Sequence, residues 1–156
     1  MDEKIIVIGC GNLLAADDGI GIYVARSLKE YPLSNDVQII EAGCPGLDLL
    51  RLWENKKNVI IIDAVISGAK PGTVHVFNLN QVIPREIMPL SSHSFNVVDA
   101  IELGKILKVI PEQLIIVGIE LETEKAYREE LSPSVEQAIP VACEQIIKEI
   151  TNLKRI

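Results

Sequence analysis

The stretch Ile5-Ile6-Val7-Ile8-Gly9-Cys10-Gly11-Asn12-Leu13-Leu14-Ala15-Ala16-Asp17-Asp18-Gly19-Ile20 carries the fold class of this chain. Lys4–Ile8 is a β-branched run with no polar alternation, the pattern of a strand covered on both faces. Gly9-Cys10-Gly11-Asn12 breaks it. Asp17 then stands where a helix N-cap is expected, and Ile20, Val24 and Leu28 follow at i, i+4, i+8 along one helix face. A doubly covered strand feeding a helix is the opening of an α/β domain.

The same alternation continues downstream. Val37–Ile40 is predicted as a second strand, Leu47–Trp53 as a short helix, and Val59–Ile62 as a third strand that stops at Asp63. Only a short Ser-Gly-Ala-Lys-Pro-Gly stretch separates this region from the next strand, Thr73–Phe77. A parallel crossover needs about a dozen residues, so the fourth strand is predicted to run antiparallel to the third. A long loop, Leu79–Ser92, of a length usually functional, leads to a helix marked by Val97, Ile101, Gly104 and Leu107. Gln113–Ile119 is the fifth strand. Ser132-Pro133 opens a final helix with N-cap and N1 chemistry. Its apolar stripe runs from Val135 to Ile150, and Pro140 is expected to kink its first turns or delay its regular part. The expectation is one domain, 1–156, built as a three-layer α/β/α sandwich (phosphorylase/hydrolase-like). Its five-stranded sheet is mixed, mostly parallel with one antiparallel strand.

Composition limits the chemistry. Of 156 residues, 48% are hydrophobic and 4% aromatic, so the core must be aliphatic. Fifteen Lys and Arg against 22 Asp and Glu leave a net charge of −7, which disfavours nucleic acid and anionic membranes as partners. Two histidines and three separated cysteines exclude a zinc finger or a disulfide framework. Met1-Asp2-Glu3-Lys4 leads into a strand rather than the apolar region of a signal peptide. A cytoplasmic protein with reduced thiols is therefore expected, with no membrane segment.

Ligands of open α/β sheets bind beyond the carboxyl ends of the strands. That edge collects Gly9–Asp18, Glu41–Gly46 and Asp63–Ser67, and the long loop can return His93 to it. A dinucleotide site is disfavoured. Leu14 stands where the third glycine of the fingerprint belongs, and Asp17 and Asp18 would repel a pyrophosphate. Two constellations remain open. Asp18, Asp63 and His93 form a mixed oxygen and nitrogen donor set suited to nickel, zinc or manganese, with positions left for substrate. Alternatively, Cys10 or Cys44 could act as a nucleophile with His93 as base and Asp63 orienting the imidazole. The bland alternatives are an N-cap for Asp17, a turn residue for Asp63, a backbone-satisfied loop histidine for His93, and packing roles for the cysteines. His75, inside a strand, is expected to face solvent, and Cys143 belongs to the core stripe.

Ile5–Gly21 resembles the first motif of the hydrogenase maturation proteases, and Ile60-Ile61-Ile62-Asp63-Ala64 resembles their second. Pro71-Gly72-Thr73, Ser92-His93, Val117-Gly118-Ile119 and Leu131-Ser132-Pro133-Ser134-Val135-Glu136 are similar to later ones, in order along nearly the whole chain. The resemblance implies an α/β/α endopeptidase. Its substrate would be the precursor of a nickel–iron hydrogenase large subunit, shortened at its C-terminus after nickel insertion. It also implies that Asp18, Asp63 and His93 recognise nickel, probed transiently on the substrate. Either the bound metal would polarise the scissile carbonyl or a water, or Asp18 or Asp63 would act as the catalytic general base, and no nucleotide would take part. A monomeric enzyme is expected. The alternatives are a non-enzymatic nickel-centre checkpoint module, or the Cys/His hydrolase above, on the same fold.

Overall fold

A computed structural model describes residues 2–78, 97–122 and 130–156. In chain order these form β1 (Asp2–Cys10), a 3-10 turn (Leu13–Gly19), α1 (Ile20–Leu28), β2 (Val37–Gly43), α2 (Asp48–Trp53) and β3 (Lys56–Val65). β4 (Val74–Asn78), α3 (Val97–Leu107), β5 (Gln113–Glu120) and α4 (Pro133–Lys154) follow. The strands lie in the order β2-β1-β3-β5-β4. β1 pairs in parallel with β2 and β3, and β3 in parallel with β5. β4 pairs antiparallel with β5, placing Val74 opposite Ile119 and Asn78 opposite Ile115. The short connection after β3 thus reverses the chain as expected, but its strand lies beyond β5 rather than beside β3.

Each face of the sheet buries its own core. Val7, Ile60, Ile62, Val117 and Ile119 pack against Val24 and Leu28 of α1 and Val135, Ala142 and Ile146 of α4. Ile6, Ile8, Val59, Ile61, Leu114 and Ile116 pack against Leu49 and Trp53 of α2 and Ala100 and Ile101 of α3. Residues alternate between these two layers along β1, β3 and β5, which is why these central strands read as nearly continuous apolar runs, whereas the edge strands β2 and β4 carry Gln38, Glu41, His75 and Asn78.

The structure corrects four sequence expectations. α4 is helical from Pro133 onward, so Pro140 does not delay it; the ring sits on the exposed face, where the carbonyl it leaves without a donor is open to water. β3 continues two residues past Asp63, because β5 keeps pairing with it as far as Val65 and Glu120 while β1 leaves after Gly9 and Ile62. Asp17 is not the N-cap of α1. The 3-10 turn intervenes, and Gly19 takes the cap position with no side-chain hydrogen bond. His75 does not face open solvent; its Nε2 lies 3.0 Å from Oε1 of the buried Glu120.

Candidate active site

The site begins with the close approach of α1 to the strand ends. A Cβ on Gly21 would stand 2.1 Å from the carbonyl oxygen of Cys10 and 2.4 Å from that of Ile62. One on Gly9 would stand 2.5 Å from the carbonyl oxygen of Gly21. The glycines that weaken the helix therefore let it settle onto its own strands. The 3-10 turn caps this junction. Asn12 accepts from the Leu14 N–H through its side chain, and the Asn12 N–H donates to the Asp18 carbonyl at 3.2 Å. Asp18 is carried on this turn, half-buried, with Leu14 turned outward beside it at 88% exposure.

Asp63 arrives from the sheet. Period-two alternation after Val59 and Ile61 puts its side chain on the α2–α3 face. Cys10, next after Ile6 and Ile8 on that face, is level with it one residue beyond the last β1–β3 pair. Burial pushes the Asp63 carboxyl up to about 7, against the lowering effect of the Ala64 N–H that its Oδ1 accepts at 2.8 Å, and the Asp18 carboxylate raises it further. Asp18 and Asp63 thus come together as the sequence expects, as two like charges in one field. Such a pair is relieved by a cation. Among the described residues no three His, Cys, Asp or Glu side chains gather tightly enough to hold a metal ion. His93, the third member of the expected set, lies outside the described residues.

The two cysteines border the same carboxylates. Burial, then Asp63, then Cys44 raise the Cys10 thiol well above its ordinary value. Burial, Asp18 and Asp63 raise Cys44. Both effects keep a thiol protonated, the reverse of what activates a cysteine. Cys143 is a core residue, as its stripe predicts. Glu41, toward the end of β2, is held by Arg26 Nε at 2.8 Å and Lys29 Nζ at 2.7 Å.

Sequence reasoning missed two polar clusters at this edge. Glu120, buried at the end of β5, accepts from the Ser67 N–H at 2.8 Å, from the Ser67 hydroxyl and from His75. An acid following an apolar strand is the signal that singled out Asp63, and it applied equally here. Asp17 accepts from the Ser132 N–H and hydroxyl, each at 2.7 Å. No local pattern links residues so far apart.

The family model described as hydrogenase maturation protease (HycI) matches residues 22–149. The chain belongs to the hydrogenase maturation protease family. It is 30% identical to the hydrogenase 2 maturation protease of Escherichia coli over 92% of this chain and 88% of that one. The fold superposes on the hydrogenase-maturating endopeptidase HybD of E. coli with a TM-score of 0.76, at 27% identity, over 96% of this chain and 93% of that one. It superposes on the [NiFe] hydrogenase maturation protease HybD of Thermococcus kodakarensis with a TM-score of 0.72, at 27% identity, over 93% and 97%. This maturation protease is accordingly an endopeptidase, with its paired carboxylates at the carboxyl edge of the sheet. Among its described residues no helix is long and apolar enough to cross a membrane.

Proposed function

We propose that this protease removes the C-terminal extension of a nickel–iron hydrogenase large-subunit precursor, and that it reads the nickel already inserted there through Asp18, Asp63 and His93. The observation that carries the reading is the pairing of Asp18 with the half-buried Asp63. A carboxyl kept protonated to about pH 7 by burial and a like charge becomes a strong ligand when a cation arrives and displaces its proton. Nickel here belongs to the substrate. Bound to both proteins, it would place the scissile peptide beside the carboxylates and supply Lewis acidity. Asp18 would hold the metal from the 3-10 turn and Asp63 from the sheet. Whichever carboxylate is left unliganded is placed to take a proton from the attacking water.

The test compares nickel-loaded and nickel-free precursor with the same enzyme preparation. Cleavage of the loaded form alone is the expected result. Equal cleavage of both forms removes nickel recognition from the proposal, and binding without cleavage of the loaded form removes the peptidase step.

A further inference from the structure

Asp17 and Asp18 are adjacent acids with opposite fates. Asp18 is at the site, whereas Asp17 is turned inward at 7% exposure, with both carboxylate oxygens on Ser132, itself 1% exposed. Ser132 is the N-cap position of α4, but its hydroxyl does not cap its own helix. α4 is held to the sheet by Val135, Ala138, Ala142, Cys143 and Ile146 and so offers a rigid anchor.

The turn between these two acids and β1 needs such an anchor. Its 3-10 turns span Leu13–Gly19 but do not form one regular helix, because a right-handed 3-10 helix needs negative φ throughout. Ala16, immediately before Asp17, sits at φ +48°, which its Cβ disfavours. Strained backbone of this kind persists where its surroundings over-determine it. At the start of the turn, Gly11 has no room for a Cβ, which would lie 2.2 Å from the Asp18 carbonyl oxygen. Toward its far end, Asp17 ties it to α4 through Ser132.

We infer that Asp17 is a positioning residue: its two hydrogen bonds to Ser132 lock the strained turn against the start of α4 and so aim Asp18 at the metal of the precursor. The inference rests on the proposed reading of Asp18 as a nickel ligand. It assigns the carboxylate of Asp17 a geometric task, with no contact to metal or peptide.

The experiment uses the full chain in four variants, D17A, D17N, S132A and A16G combined with D17A, read by precursor cleavage and by amide hydrogen exchange. D17A and S132A are expected to slow cleavage at least tenfold and to speed exchange across residues 13–19 by a similar factor, with exchange in residues 59–62 unchanged. D17N keeps an acceptor for the Ser132 N–H, and its amide can donate to the Ser132 hydroxyl, so it should stay within threefold of wild type. Glycine at position 16 removes the backbone strain and should restore part of what D17A loses. If D17N falls as far as D17A, the charge itself is used and the positioning role is overturned. Wild-type exchange across 13–19 in S132A overturns the lock, and this arm stands even where D17A fails to fold. A wild-type enzyme that ignores nickel sinks the proposed function instead, while the exchange readout still decides the lock.

Discussion

Asp63→Asn should stabilise this enzyme in alkaline solution while abolishing its activity. The Asp63 carboxyl titrates near 7 in the fold and near 3.8 as a free side chain, with burial as the main cause. Between those values the folded state holds the extra proton, so stability falls as pH rises and the loss is complete above the folded value. At 1.36 kcal/mol per unit, a shift of about three units sets a ceiling of roughly 4 kcal/mol. Asp63 retains some solvent contact and Asp18 can adjust, so a gain of about 1–3 kcal/mol is expected. For a chain of this size that is a rise in Tm of roughly 2–10 °C. Asparagine preserves the shape and the acceptor for the Ala64 N–H, so the difference isolates the charge. Thermal or urea unfolding of both proteins should show the gain at about pH 8.5 and little difference at about pH 3, below both values, where Asp63 is protonated in the folded and the unfolded state alike. Other titrating groups cancel in the comparison. An Asp63→Asn variant no more stable than wild type at the higher pH, or a gap that does not close on acidification, refutes the account of Asp63.

Other perturbations separate the parts of the site. His93→Ala should lower nickel-dependent processing by about a hundredfold or more, as expected for the loss of a metal ligand, and an unchanged cleavage rate would remove it from the donor set. Alkylating accessible thiols, or replacing Cys10 and Cys44 by serine, should leave cleavage within about threefold of wild type, because both thiols are held protonated; abolished cleavage in a folded double variant would restore the cysteine mechanism. Glu120→Ala strands the Ser67 N–H and hydroxyl and the His75 ring, and should cost about 2–4 kcal/mol in urea unfolding. Gly21→Ala forces α1 off two strand carbonyls and should lower stability by more than about 2 kcal/mol; a wild-type Tm would show that the helix shifts freely.

The strands and helices were legible largely because the three central strands, β1, β3 and β5, are buried on both sides. Such strands read as unbroken Ile and Val runs, and the turn glycines and Ser132-Pro133 punctuate them. The reversed direction of β4 followed from the length of one connection, since too few residues were present to cross the sheet. Asp18 and Asp63 were legible because ionisable residues following apolar strands reach the edge where such sheets bind ligands. Sequence periodicity could not tell where β3 ends. A strand stops when its neighbours stop, and β5 accompanies Asp63 beyond the point where β1 departs.

The division between Asp17 and Asp18 shows the limit most clearly. By itself the sequence determined that two acids follow the first strand, that a helix begins just after them, and that the site would be acidic. The sequence set Asp18 apart for the site and gave Asp17 only a local role, a helix cap. Only the tertiary structure decided that Asp17 grips α4 instead, because that contact depends on Ser132, a residue the fold brings in from the start of the last helix. The elevated Asp63 carboxyl has the same origin. Its proton affinity comes from burial and from Asp18 across a sheet junction, and both exist only once the strand ends and the turn that carries Asp18 have come together.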